Sequence, residues 1–377
     1  MLYSPDRKKN TSLAHLTLKG ETFFAGLKAM GYDLFVPGEL DLKVGIGTLD
    51  ALCRVVGIEA VQLNLYRQGE RIFKGSKKIR KSGVDILVTG VIAEEFIKDE
   101  YRTWSGIEAR EPREELENLW KERGGEADLF VIVSHMPERK ERLLARSLAT
   151  PAVFLSAHAG PRGNPVVEGK SVILSLPDRG RYVGKVTLRA KAGANAPSPA
   201  YSLPPESRDV DMVSRDKEAG VRFERLSLDE GVAGEEKMEA LLSAYREKIR
   251  SLRHDFPGDG GYRGFSYCRD CHAERSRRWL SRAHSRAFGT LAARGEEMNP
   301  DCLVCHTTGF GEGGYRPLGD KRSELEGVGC EECHGPGEGH PGKELTVPGE
   351  KDCRRCHNRG EEWDFADARR KIGCEGK

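Results

Sequence analysis

Apolar positions in the first half of the chain recur at two different periods. Residues 21–31 set Phe23, Phe24, Leu27 and Met30 three or four apart, the stripe of a helix with one apolar face. Short runs rich in β-branched residues occupy 33–36, 60–65, 85–91, 128–134, 152–155, 171–176 and 182–188, with helical spacing between several of them at 48–56, 112–123 and 138–149. This alternation predicts a layered α/β domain up to about residue 190. Residues 193–215 break both periods with Pro197, Pro199, Pro204 and Pro205 and read as a linker or an extended crossing segment. A helix is expected over 235–252, where Met238, Leu241, Leu242, Tyr245 and Ile249 share one face. Beyond Gly258 apolar periodicity fades while glycine, cysteine and histidine become frequent, so an ordinary hydrophobic core is not expected there. The layout is therefore an α/β domain at 1–192, a linker and connecting helix at 193–257, and a mainly α and irregular domain at 258–377.

A chain of 377 residues is long enough to build two cores. Its 61 basic and 59 acidic side chains are interspersed and give a formal net charge of +2, which offers nothing to nucleic acid or to an anionic membrane. No apolar run approaches the ~20 residues that cross a bilayer; the strongest, 128–133, suits a buried strand. The first ten residues lack the apolar core and small-residue cleavage site of a secretory signal, which alone would indicate the cytoplasm.

Cysteine usage changes that picture. Eight of the ten cysteines fall in four motifs: Cys268-Arg-Asp-Cys271-His272, Cys302-Leu-Val-Cys305-His306, Cys330-Glu-Glu-Cys333-His334 and Cys353-Arg-Arg-Cys356-His357. Two thiols three positions apart can each form a thioether to one haem vinyl group, and the histidine that follows becomes the proximal axial ligand. Four covalently bound c-type haems are expected. A zinc ribbon built from Cys330, Cys333, Cys353 and Cys356 is the competing reading, but a ribbon does not require histidine after every second cysteine, and all four pairs have it. Four macrocycles would also supply the apolar core that this glycine-rich segment lacks.

The second axial ligand decides whether a haem only carries electrons or also binds a substrate. Beyond Leu252 the candidates are His254, His284, Met298 and His340. His284 closes Trp279-Leu-Ser-Arg-Ala-His284, on a helix expected after the first motif, and His340 ends a turn-rich loop after the third. His254 is a further distal candidate; Met298 reads as a packing residue.

Residues 261–374 resemble the tetrahaem domain of the cytochrome c-554 and c-prime family. The shared pattern is the first motif, then Trp279-x-Ser-x-x-His284, then Cys302-Leu-Val-Cys305-His306-Thr-Thr-Gly-Phe310, then Gly327-Val-Gly-Cys330-Glu-Glu-Cys333-His334-Gly-Pro-Gly-Glu-Gly-His340, and finally the fourth motif. The resemblance implies closely stacked haem pairs, with His284 serving the third haem and His340 the fourth. Two departures stand out. No histidine lies between His306 and Cys330, and cysteine stands in Lys371-Ile-Gly-Cys374 where the family often has a histidine. That leaves His254, Met298 or an open position to the first and second haems.

The first domain resembles the metallophosphoesterase domain of 5'-nucleotidases, through Leu27-Lys-Ala-Met-Gly-Tyr-Asp33, Val36-Pro-Gly-Glu-Leu-Asp41, Ala127-Asp-Leu-Phe-Val-Ile-Val-Ser-His135, Ser156-Ala-His158 and Gly180-Arg-Tyr-Val-Gly184. The resemblance implies an αββα sandwich with two metal ions at loop ends. It fails at the ligands: the family's Asn-His-Glu triplet is Glu39-Leu40-Asp41, the final pair keeps His158 but has Gly160 in second place, and the Asp-x-His and Gly-Asp motifs are absent. Only His135 and His158 survive, two imidazoles without bridging carboxylates and hence a poor dinuclear site. No second metal is expected in this domain, which reads as a degenerate scaffold. Gly45-Ile-Gly47 is a turn rather than a dinucleotide loop, Cys53 a core residue, and Cys374 a thiol in the C-terminal tail.

Three functions follow from these readings. The first is an extracytoplasmic electron carrier, its signal peptide missing from this chain, exchanging electrons with redox proteins or other cytochromes and using the phosphoesterase-like domain for docking. The second is a haem enzyme acting on a small nitrogen or sulfur species at an open iron. The third is a nucleotidase fused to a cytochrome. Oligomeric state has no signature in the sequence.

Overall fold

Six of the nine residues of Val84–Ile92 are apolar and its last six positions are all buried, which requires cover on both faces of the strand. The computed structural model, which describes residues 13–98, 106–158, 165–175, 182–189, 201–202, 213–214, 220–228, 231–252, 257–319, 322–357 and 364–372, sets this strand inside a six-stranded sheet. The order across the sheet is Val166–Glu168, Ser171–Ser175, Val153–Ser156, Leu129–His135, Val84–Ile92 and Ser76–Lys81. The four inner strands run parallel and the two outer pairings are antiparallel. Helix Pro112–Arg123 connects the first two inner strands and Glu138–Ser147 the next two, the crossover expected of a parallel sheet. Pro112 opens the first of these helices where its missing N–H costs nothing, with Glu114 and Glu115 in the first turn and Lys121 and Arg123 in the last, matching the helix dipole. The core packs Leu116, Leu119 and Leu144 against Leu87, Phe130, Ile132 and Phe154.

Gly90 lies where a strand must pass close to its neighbours. A Cβ there would sit 2.3 Å from Val36 Cγ1 and 3.1 Å from the Val61 carbonyl, so only glycine fits. Cys53 is buried in the core, and desolvation pushes its thiol up to about 11.

Most predicted elements recur with shifted ends. The run at 60–65 divides into Glu59–Ala60, paired with Leu34–Phe35, and Leu65–Arg67 in a separate three-stranded sheet. Ser76–Lys81 was not expected to be a strand; with Lys77, Lys78, Arg80 and Lys81 it carries the charge that protects a sheet edge. Tyr182–Arg189 pairs with Gly220–Ser227, and Tyr201–Ser202 with Val213–Ser214, so pairing extends into the stretch expected to be a linker.

The chain divides into two compact units, one from Leu27 to Glu235, the other from Glu236 to Lys377 together with the N-terminal helix up to Gly26. That helix, Leu13–Ala29, begins eight residues before the predicted start. Its place in the second unit has specific causes: His15 Nε2 lies 3.1 Å from the Tyr245 hydroxyl, Lys19 pairs with Asp301, and Gly26 admits Met238 so closely that a Cβ would be 3.1 Å from its methyl. The second unit otherwise consists of helix Glu236–Ser251 and short helices around a small apolar cluster of Tyr262, Phe288, Leu291, Leu303, Phe310, Tyr315 and Leu325. Among the described residues no helix is long and apolar enough to cross a membrane.

Candidate functional site

Each Cys-x-x-Cys-His motif is coiled into a helical turn, which brings its three functional side chains toward one side. In the first and fourth, the histidine N–H bonds to the carbonyl of the leading cysteine, His272 to Cys268 and His357 to Cys353, each at 2.9 Å. The second lies on helix Pro300–His306, started by Asn299, whose side chain accepts from the Asp301 N–H at 3.0 Å; the third lies on helix Cys330–His334.

Two of the motif imidazoles, those of His306 and His334, are oriented as a metal ligand requires. His306 Nδ1 is 2.8 Å from the Ala287 carbonyl and His334 Nδ1 2.9 Å from that of Thr346. A carbonyl can only accept, so Nδ1 carries the proton and Nε2 keeps its lone pair for a metal. His340 Nδ1 makes the same kind of bond to Lys343, at 3.2 Å.

Two imidazole pairs converge across the unit. His284 Nε2 is 3.5 Å from His357 Nε2, and the His272 and His340 rings lie nearly parallel with centroids 6.1 Å apart. An iron held by two axial imidazoles needs nitrogens roughly 4 Å apart, taking about 2 Å per metal–nitrogen bond. The first pair meets that need with a shift of about half an ångström. Burial lowers the pKa of both His284 and His357, for His284 with a smaller contribution from the His357 charge, which favours the neutral form that ligates iron. These residues fit c-type haem.

The pairing differs from the one the resemblance implied. His284 faces the histidine of the fourth motif rather than the third, and His340 faces that of the first rather than the fourth. The cause lies in the loops. Glu331, in the third motif, accepts from the N–H groups of Arg263 at 2.8 Å, Gly264 at 2.8 Å and Gly337 at 2.6 Å, binding the loop that ends in His340 to the approach of the first motif. Glu338 N–H adds a bond to the Gly261 carbonyl, and the Tyr267 hydroxyl donates to that of His340. Trp279 Nε1 donates to Val328 and Val328 N–H to His284, both carbonyls, fixing the segment that presents His284. Thiol contacts bring the motifs together in pairs: the free thiol of Cys268 is hydrogen-bonded to that of Cys330 and that of Cys305 to that of Cys356, first motif with third and second with fourth.

Sequence patterning missed Glu331 and Glu332. Both are buried, and Glu332 accepts from the Gly309 N–H at 2.7 Å. Their signal was present, since no other motif has two carboxylates in its x-x positions, but glutamate at a helix is ordinarily solvated. Met298 is half-buried; His254 and Cys374 lie outside the described residues.

The first unit brings His135 and His158 together, their ring centroids 5.0 Å apart, and adds a third group that the sequence did not suggest. Glu39 joins them, the ligand atoms of all three lying within 4.8 Å of one another. His135 ends strand Leu129–His135 and His158 follows strand Val153–Ser156 by two residues, so the cluster sits at the C-terminal ends of parallel strands, where α/β sheets bind ligands. In sequence only His135 and His158 count as surviving ligands; the structure adds the Glu39 carboxylate to them. The dinuclear centre of the phosphoesterases still does not fit, because buried Leu40 has no donor atom.

Residues 267–335 match the family described as cytochrome c554 and c-prime. Cytochrome c-554 of Nitrosomonas europaea is 33% identical over 94 residues, 21% of this chain and 40% of that protein. The structure of the sulfate thiohydrolase SoxB of Thermus thermophilus, in complex with glycerol, aligns with a TM-score of 0.50 and 19% identity over 64% of this chain and 41% of that one. A 5'-nucleotidase precursor from Thermus thermophilus aligns with a TM-score of 0.47 and 15% identity, over 68% and 53%. The chain thus spans less than half the length of either the cytochrome or the thiohydrolase it matches. Its C-terminal region is similar to c554-type cytochromes, and its α/β unit has a metallophosphoesterase-like fold.

Proposed function

We propose that this chain carries electrons outside the cytoplasm through four covalently attached c-type haems, two of them with histidine on both axial sides. The observation that carries the reading is the approach of His284 to His357 at 3.5 Å, a geometry with no packing purpose of its own. Bound haem would supply reversible one-electron oxidation and reduction. The chain's residues would do the rest. The eight motif cysteines anchor the macrocycles, His272, His306, His334 and His357 provide proximal ligation, and His284 and His340 close the second axial positions of the fourth and first haems. The grouping of first motif with third and second with fourth supports short edge-to-edge paths within each pair. Redox proteins or other cytochromes would be the partners. An extracytoplasmic location accords with where c-type haem is attached.

Haem quantitation as the pyridine haemochrome should give four c-type haems per chain. A value of two or fewer in fully matured protein would refute the assignment.

A second reading has its own support. Of ten histidines, four are proximal, two complete the pairs above, His135 and His158 belong to the other unit, and His15 contacts Tyr245. His254 is then the one histidine left for the second and third haems, so at least one of these irons lacks a second histidine and has a position at which a small nitrogen or sulfur species binds. Nitric oxide or nitrite perturbing the visible spectrum would favour this; an unchanged, wholly low-spin spectrum would eliminate it.

A further inference from the structure

We propose that Glu39, His135 and His158 form a mononuclear site for a borderline divalent metal ion of the zinc class, distinct from the haem-attachment motifs. Two imidazoles and one carboxylate are a donor set suited to such ions, and an ion held by three protein ligands keeps a further position for water or another small ligand.

The arrangement is built rather than accidental. Glu39 and His135 have side chains only 12% and 11% exposed, while His158 is exposed, so the cluster is enclosed on one side and accessible on the other. Glu39 Oε2 and His135 Nε2 face each other, and neither buried atom has a further hydrogen-bond partner. Buried polar atoms so sparsely partnered are costly, and an ion between them would satisfy both. The turn that presents Glu39 is clamped by Asp41, which accepts from the Gly38 N–H at 3.0 Å through its carboxylate and donates its own N–H to the Gly38 carbonyl at 3.1 Å. Gly38 has a reason to be glycine: a Cβ there would lie 3.2 Å from two atoms of the His135 ring. Phe96 completes the wall, its centroid 4.3 Å from that of His158 and 5.4 Å from that of His135.

A Glu39–His135 ion pair is the simpler account, but it leaves His158 without a purpose beside a second imidazole. The site also departs from the dinuclear phosphoesterase centre. Glutamate stands where that fold has an amide ligand, adding a negative charge to a neutral two-imidazole set, and Leu40 replaces a histidine. Three donors, one of them anionic, favour a single ion.

The test uses the full haem-loaded chain, stripped with a chelator and titrated with Zn2+. One equivalent should bind beyond the haem iron, and absorption at the zinc edge should show only nitrogen and oxygen in the first shell, with imidazole scattering. E39Q should weaken binding by at least about tenfold, and the double variant His135→Ala, His158→Ala should abolish it, with haem content unchanged in both. Because the alanine variant removes buried groups, the near-isosteric E39Q and a thermal melt of each protein separate lost ligation from lost folding. Equal zinc affinity in wild type and both variants, or a first shell containing sulfur, would overturn the proposal.

Discussion

His284 and His357, 73 residues apart in sequence, point their Nε2 atoms at each other across 3.5 Å. Two neutral imidazoles in this orientation gain little from one another, since one must turn a lone pair toward the other's lone pair or N–H at the long end of hydrogen-bond range. The arrangement has a purpose once an iron lies between them. His284→Ala should therefore convert one haem of the set from low-spin to high-spin, and His340→Ala should do the same to a different haem, with covalent haem content unchanged in each. Electron paramagnetic resonance resolves the two. Loss of the same low-spin signal in both variants would rule out the pairing.

Glu331 is the residue through which the third motif holds the loop that carries His340, the proposed distal ligand of the first haem. Its carboxylate takes three backbone N–H groups, and hydrogen bonds to a charged acceptor contribute about 1.5–3 kcal/mol each at most. Glu331→Gln keeps the shape but loses the charge and turns one acceptor into a donor facing N–H groups. The expected cost is roughly 2–4 kcal/mol of stability. A partial high-spin signal at the haem that His340 serves should accompany it. Denaturant titration and the spin-state spectrum measure the two effects, and a spectrum identical to wild type would show that Glu331 does not position the loop.

The α/β layering was legible because strand and helix periods are local: Pro112–Arg123 has the predicted bounds, since proline fixed its start and charge its ends. The Cys-x-x-Cys-His motifs were legible because spacing alone defines them, and the match to c554-type cytochromes falls on that region. The histidines that face His284 and His340 were not, because that depends on which loops Glu331 and Trp279 draw together over tens of residues. Glu39 was missed for a related reason. In sequence it occupies a degenerate triplet, and only the turn clamped by Asp41 brings it to His135 and His158.

Gly90 offers a test of the sheet independent of any cofactor. Gly90→Ala would drive a methyl into Val36 Cγ1 at 2.3 Å and against the Val61 carbonyl, which the strand can relieve only by moving. Overpacking of this kind costs about 1–3 kcal/mol, occasionally more. The melting transition of the α/β unit should fall accordingly while haem content and spin state stay as in wild type. A variant as stable as wild type would show that the close approach is not enforced.

Glu168 provides the pH dependence. It is buried against Arg146, whose Nη2 lies 2.6 Å away, and against Arg142. Desolvation pushes its pKa up, but the hydrogen bonds and charges of Arg146 and Arg142 outweigh this and hold the carboxyl below its ordinary value. A folded-state pKa below the unfolded one, about 4.3, means that the ionised carboxylate adds stability above that pH. This contribution is lost as pH falls through the lower, folded value. Glu168→Gln removes it at neutral pH, at a cost of about 1–2 kcal/mol, because both arginines are partly exposed and recover hydration. The gap between wild type and variant should then be constant from pH 7 to about 5 and close progressively below about 4.3. Denaturant midpoints collected across that range decide the matter, and a gap of the same size at pH 3 and pH 7 would show that the carboxylate charge does not stabilise the fold.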